Sequence, residues 1–180
     1  MAKLLKKDLE RIIQEQQKTI EKLQAQLPVD NKTTESKKEE EKVMNIIKEF
    51  RGDYYFLSNF YPVSIKVEDN TYSSVEAAYQ AMKCKTKDQR KQFVGLSAVQ
   101  AKRLGKQIPL RDNWDKEKFR VMKHLLEIKF SNKNLKKRLK ETGDAFITHE
   151  NYWKDTYWGV YKGKGKDILG KLLMQIRDSK

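Results

Sequence analysis

The chain predicts a mainly α domain with a few short β-strands, preceded by an N-terminal amphipathic helix with coiled-coil spacing. Three observations carry this. Apolar residues recur at helical spacing in most segments after residue 73, each opened or closed by Ser, Asp, Asn or Gly. Strand-like alternation is confined to one short stretch around a turn. Aromatic residues, Gly and Trp appear together only from Met44 onward, so the core belongs there, and 180 residues suit one domain with an appendage better than two full domains.

In chain order, the first element is a helix over 1–27 with Leu9, Ile13, Ile20, Leu23 and Leu27 in a 4-3 pattern interrupted by Gln16. Ile13, Ile20 and Leu27 at a, with Leu9 and Leu23 at d, favour a parallel homodimer through residues 5–27. Docking of this helix on its own domain is the other association the pattern allows. Pro28 ends it, and residues 28–44 form a polar linker with almost nothing to bury. The compact domain spans 45–180.

Within that domain, Ser64 to Tyr72 reads as a hairpin: Ile65 and Val67, a turn at Glu68-Asp69-Asn70, then Thr71 and Tyr72. A helix follows at once. Ser73-Ser74-Val75-Glu76 has the S-x-x-E form of a capping box, and Ala77, Ala78, Ala81 and Met82 are strong helix formers. Further helices are expected at about 87–94, 97–105, 113–130, 132–141 and 167–178.

Composition restricts the function classes. The single Cys84 has no partner for an internal disulfide or a zinc site, which points to a reducing cytoplasm. No stretch has the apolar length to span a bilayer, so no membrane partner is expected. Net charge is +14, and residues 45–180 carry about +13 of it, with 29 basic and 16 acidic residues. That surplus suits a polyanionic partner, a nucleic acid or a small phosphorylated ligand, and equally a lysine-rich bias without function. Two His and one Cys leave no paired metal-ligand spacing and no Ser/His/Asp order, so neither a metal nor another cofactor is expected.

Four segments hold residues that packing alone does not require: Tyr54 to Phe60, Val75 to Lys83, Glu150 to Gly159 and Gly163 to Lys166. Glu76, Gln80 and Lys83 recur at i, i+4 and i+7, so a carboxylate, an amide and an amine project from one helix face. If that face closes a cleft, desolvation lowers the lysine pKa toward a nucleophilic amine. The plainer reading is that Glu76 completes the capping box and Lys83 complements the helix dipole. Between Glu150 and Gly159, two carboxylates stand among Tyr152, Trp153, Tyr157 and Trp158, a pattern suited to stacking on a base and holding ribose hydroxyls, or simply to core anchoring. Gly163-Lys164-Gly165-Lys166, before a helix opened by Asp167, offers amides and lysines to a phosphate but lacks Walker spacing, and Asp167 as cap would compete for those amides. His149 adjoins Glu150 and is placed to orient it; neither it nor His124 is assigned to catalysis.

In order, these segments resemble the NADAR, or YbiA-like, family. Phe56-Leu57-Ser58-Asn59-Phe60 is similar to its FLSNF opening, and Ser74 to Lys83 to its T-x-E-x-x-(Y/F)-Q-A-x-K helix. Ala101 to Gly105, Arg111, Trp114, Met122, Lys129-Phe130 and Thr142-Gly143 follow its A-x-x-L-G, R-x-x-W, VM, KF and TG landmarks. Glu150 to Gly159 and Gly163 to Met174 resemble its closing motifs, so that the likeness runs over about residues 50–177. The resemblance implies a mainly helical N-glycosidase acting on ADP-ribosyl or phosphoribosyl compounds, including ADP-ribosylated guanine and riboflavin-pathway intermediates, with a lysine imine as the intermediate where ADP-ribose is released. Carried over residue by residue, it implies catalytic roles for Glu76, Lys83 and Asp155. Substrate contacts are implied at Ser58, Asn59, Phe60, Gln80, Arg111, Trp114, Glu150, Trp158, Gly159 and Lys166, and Lys129 and Lys166 stand beside Lys83 as candidate reactive lysines. Ala77 and Ala78 replace bulkier residues usual after the helix glutamate, which implies a wider pocket, and Asp167 replaces an Asn beside the implied phosphate site. The expected partners are an ADP-ribose- or ribosyl-phosphate-containing substrate and ADP-ribosylated nucleic acid. The rival class is a basic nucleic-acid-binding module without catalysis.

Overall fold

A computed structural model describes Lys18 and residues 45–179. The expected helix over 1–27, its dimer seam and the linker over 28–44 therefore lie outside the described residues, apart from Lys18. The chain divides into two units between Lys42 and Val43, and the second carries the compact domain.

The second unit is mainly helical, as the apolar periodicity predicts, and holds two small sheets. Strand β1 (Ile46–Ile47) opens it, followed by a 3-10 helix (Gly52–Leu57). The hairpin is β2 (Ile65–Val67) and β3 (Asn70–Tyr72), antiparallel with Ile65 opposite Tyr72. Helices α1 (Val75–Met82), α2 (Lys87–Lys91), α3 (Ala98–Gly105), α4 (Trp114–Phe130) and α5 (Lys133–Glu141) follow. Strand β4 (Phe146–Ile147) and helix α6 (Ile168–Asp178) end the domain. Each α-helix falls within a few residues of its expected span, while the 3-10 helix was not among the expected elements. The largest difference is α2, which stops at Lys91 because the chain turns there to bury Phe93 and passes Gly95 at φ +76°.

Helix α1 is the axis of the fold. All eight of its residues are buried, and it packs on α3 and α4. Its cap differs from the expected box: Ser74, not Ser73, is the N-cap, accepting from Ala77 N at 3.1 Å, while the Ser73 hydroxyl donates to Leu96 O. Glu76 therefore does not serve as a cap. Ala77 and Ala78 are fully buried in the core and do not line the cleft that α1 helps to form, so their small size serves close packing and does not widen a pocket.

Gly105, at the end of α3, sets how near that helix comes to α1. A Cβ there would lie 2.0 Å from Gln80 Oε1 and 3.0 Å from Gln80 Cβ. Gly105→Ala is expected to rotate Gln80 away from Glu76 and to cost about 1–3 kcal/mol through overpacking, read as a lower urea midpoint with an unchanged m-value.

The β1–β4 pair was invisible in the sequence. It joins Ile46 to Phe146 and Ile47 to Ile147 in parallel, bringing the start of the domain against the segment that leads to Glu150. Two-residue strands about a hundred residues apart carry no periodicity, and only packing against α6 selects them.

Candidate active site

The segment after the 3-10 helix, the buried helix α1 and the loop after β4 converge on a cleft of about 600 Å³. Ser58, Asn59, Phe60, Glu76, Gln80, Lys83, Glu150, Asp155 and Trp158 all line it. Thus every expected catalytic residue and most expected substrate contacts meet in one place.

Glu76 stands in the first turn of α1, only 6% exposed, and its Oε1 accepts from Gln80 Nε2 at 2.8 Å. Its backbone N–H donates to Asn59 O at 2.9 Å, which ties the Ser58–Phe60 strip to the helix. Two further bonds shape that strip: Phe60 N donates to Ser58 Oγ, and Tyr55 Oη donates to Phe60 O. Asn59 Oδ1 is buried without a partner among the described residues, an acceptor available to a ligand hydroxyl.

Lys83 caps the C-terminal end of α1, its Nζ 5.4 Å from the centre of the Tyr79 ring. Burial lowers its pKa; the Glu76 carboxylate opposes that shift and the Lys102 ammonium adds to it. A larger share of neutral amine at physiological pH is the consequence.

Asp155 is held by its own loop. Its Oδ1 accepts from Tyr157 N at 2.9 Å and Trp158 N at 2.8 Å, while Asn151 spans the turn by accepting from Asp155 N and donating to Asp155 O. These bonds use one carboxylate oxygen; among the described residues no hydrogen bond is made to Oδ2, and Asp155 lines the cleft. Trp158 meets Tyr79 edge-on at 5.7 Å, forming an inner aromatic wall.

Lys102, not singled out from the sequence, completes the cleft together with His149, Tyr152 and Trp153. Lys102 reaches over Phe60 (5.2 Å) and Trp153 (5.7 Å), and among the described residues neither it nor Lys83 has an ion-pair partner. His149 stacks on Phe50 at 4.9 Å and lies 5.7 Å from Trp153. It does not orient Glu150, which pairs with Lys48 at 3.7 Å; burial lowers the His149 pKa, with Asp167 and Asp155 opposing. Tyr152 and Trp153 are exposed at the mouth, where Tyr152 Oη donates to Glu49. Lys102 sits inside the Ala101–Gly105 landmark and Tyr79 inside the α1 motif, but nothing local said which way either would point.

Four expected contacts are elsewhere. Arg111 lies outside the cleft, with its guanidinium over the Trp114 ring at 5.4 Å and its backbone N–H bonded to Lys83 O at 2.8 Å. Trp114 is buried behind Tyr79, supporting the wall instead of forming it. Gly159 is a packing position, since a Cβ would lie 2.2 Å from His149 O. Lys166 is exposed beside Tyr157, with its N–H given to Thr156 O, and Lys164 N is likewise given to Tyr161 O. The Gly163–Lys166 turn therefore uses amides within the fold that were expected to meet a phosphate. Asp167 is the N-cap residue of α6 but its side chain makes no cap bond; its Oδ1 accepts instead from His149 N at 3.0 Å, fixing the cleft loop to the start of α6. Lys129, the other candidate reactive lysine, is fully buried and absent from the cleft lining.

Among the described residues no helix is long and apolar enough to cross a membrane, and no three His, Cys, Asp or Glu side chains converge to hold a metal ion. The fold and this cleft define a member of the NADAR domain family, whose model matches residues 46–179, and the chain belongs to that family. Among individual proteins, it is 37% identical over 131 residues to the N-glycosidase YbiA of Escherichia coli, covering 70% of this chain and 81% of that protein. The solution structure of E. coli YbiA shares its fold with a TM-score of 0.64 at 32% identity, over 76% of this chain and 88% of that one. A riboflavin biosynthesis protein of Vibrio vulnificus is 35% identical over 128 residues, 68% of this chain but 35% of that longer protein.

Proposed function

We propose that this chain is an N-glycosidase that hydrolyses the bond between a base and the ribose of an ADP-ribosyl or related phosphoribosyl group, with ADP-ribosylated guanine as the preferred adduct. The class has the support of family membership and of the relatives named as N-glycosidases. The observation that carries the substrate is the two-part cleft. An inner group of Glu76, Lys83 and Asp155 beside Tyr79 and Trp158 suits the glycosidic bond, and an outer aromatic rim of Phe60, Tyr152 and Trp153 suits a second ring. Lys102 bridges the two sides of the outer rim with no carboxylate partner among the described residues, and Arg51 lines the same cleft, an arrangement fitted to phosphates between two nucleosides. A single-ring phosphoribosyl compound would leave the outer rim unused.

In this reading Lys83 Nζ attacks C1′ as the C1′–N bond to the base breaks. Glu76 takes the proton released by the amine and delivers it to the departing nitrogen. Asp155 Oδ2 stabilises the positive charge that develops at C1′. Breaking C1′–O4′, with the remaining Nζ proton passing to O4′, opens the ribose to a lysine imine; water then adds to that carbon, the C–Nζ bond breaks with a proton returned to Nζ, and the sugar recloses. One water is consumed, and the free base and ADP-ribose are released.

A nucleic acid carrying the adduct is favoured by α5, whose Lys133, Lys137 and Lys140 are exposed and whose Arg138 reaches back to Asp53 O and the Phe56 ring beside the cleft wall.

Incubation with DNA bearing ADP-ribosylated guanosine, and separately with NAD, followed by mass spectrometry, tests the reaction. With cyanoborohydride present, the wild type is expected to retain an ADP-ribosyl adduct at residue 83, and Lys83→Ala to show neither adduct nor release. Release by the wild type without a trapped adduct would remove the imine. No release from either substrate, together with salt-sensitive DNA binding kept by Lys83→Ala, would favour the binding module.

A further inference from the structure

Lys129 is the largest charged side chain sealed inside the domain, and the proposed reaction does not use it. Its residue is 0% exposed, on the inward face of α4 next to Phe130. The Nζ donates to Ser58 O at 2.7 Å and otherwise faces aromatic rings, Phe130 at 5.3 Å and Tyr61 at 5.6 Å. Burial depresses its pKa, bringing it down to about 7, and Tyr61 is the titratable group whose ring lies against it; no ion pair is made to it among the described residues.

What it holds matters. Ser58 O belongs to the strip whose next carbonyl, Asn59 O, accepts from Glu76 N, and whose Ser58, Asn59 and Phe60 side chains line the cleft. The chain of contacts runs from Lys129 Nζ to Ser58, through Asn59, to the helix turn that carries Glu76. The other donor to Ser58 O is the neutral Tyr61 N–H at 3.1 Å, and a charge-assisted bond is roughly twice as strong as a neutral one.

We propose that Lys129 is a positioning residue: its ammonium grips the Ser58 carbonyl from beneath and holds the Ser58–Phe60 strip and Glu76 in register, and loss of its proton loosens that grip. This rests on the cleft being the active site, but the structural part can be tested without substrate. Around neutral pH both forms of Lys129 are present, so the strip alternates between a strongly and a weakly anchored state within the physiological range.

Linkage supplies a second consequence with a defined sign. The folded pKa lies below the unfolded value of about 10.5, so between about pH 7 and pH 10.5 the unfolded chain binds more protons at this site. The cost of burying Lys129 is thus greatest below about pH 7 and diminishes as pH rises. Lys129→Met, which fills the same space without a charge, should lack this slope and should fold at least as well near pH 6.

The experiment is a pH titration of wild type and Lys129→Met by NMR, with 13C-labelled lysine and 15N-labelled backbone, no ligand present. The Lys129 13Cε resonance, identified by its absence in the variant, is expected to titrate near pH 7, and the Asn59 and Phe60 amides to shift with the same midpoint in wild type only. A kcat/KM profile on the adduct should then lose the step at that midpoint in the variant. A Lys129 resonance that does not titrate between pH 6 and 9, or Asn59 and Phe60 shifts that persist unchanged in Lys129→Met, would overturn the assignment whatever the enzyme's substrate proves to be.

Discussion

Glu76→Gln is expected to lower turnover about 10²–10⁴-fold, the range for removing a positioned proton-transfer group, while leaving the fold intact. The substitution is close to isosteric. Its amide oxygen can still accept from Gln80 Nε2, the backbone bond from residue 76 to Asn59 O does not involve the side chain, and Ser74, not Glu76, caps the helix. An ordinary destabilisation thus has no route to act. What disappears is the carboxylate that, in the proposed reaction, takes the proton from Lys83 and passes it to the leaving base. Single-turnover assays with saturating adduct, run beside thermal melts, separate the two. A Tm near wild type with the expected loss supports the role; a variant turning over within a few-fold of wild type removes Glu76 from the chemistry.

The second large effect is structural. Gly159→Ala would set a methyl 2.2 Å from His149 O and 2.8 Å from His149 Cδ2, against backbone that cannot swing aside as a flexible side chain could. The two segments are joined there by Val160 N to His149 O at 2.8 Å and Asn151 N to Val160 O at 2.9 Å. Separating them breaks this pairing and carries Asp155 and Trp158 with it. A loss of about 3 kcal/mol, the upper end of ordinary overpacking, is expected, read as a lower urea midpoint, and glycosidase activity should fall in the same protein. An alanine variant with wild-type midpoint would show that the loop re-forms around the methyl and that its closeness is not required.

Much of the cleft was legible because its parts are locally contiguous. Glu76, Gln80 and Lys83 share a face by helix geometry alone, and Asp155 with Trp158 sits in one short turn. Local order does not say which face meets which. Arg111 and Trp114 carry the same chemical promise as Arg51 and Trp153, yet the first pair lies behind the wall and the second lines the opening. Lys166 stands in a turn that reads as a phosphate site until its amides are traced to backbone carbonyls. Lys102 carried no local mark, since its role arises from reaching Phe60 and Trp153, rings that lie far from it in sequence.

By itself, then, the sequence determined the helical class, the α-helices and the hairpin to within a few residues, the family and the residues available for chemistry, because periodicity, capping and motif order are properties of neighbours along the chain. Only the tertiary structure decided which of those residues share a cleft, that Ser74 replaces Ser73 as the cap, that Asp167 bonds the His149 backbone, and that Lys129 is buried beneath Ser58. The physical reason is that desolvation and pairing depend on which distant segments close over a side chain. Here that closure is made by the β1–β4 pair and by the tie from Asn59 to Glu76, contacts between parts of the chain that carry no local signal of one another.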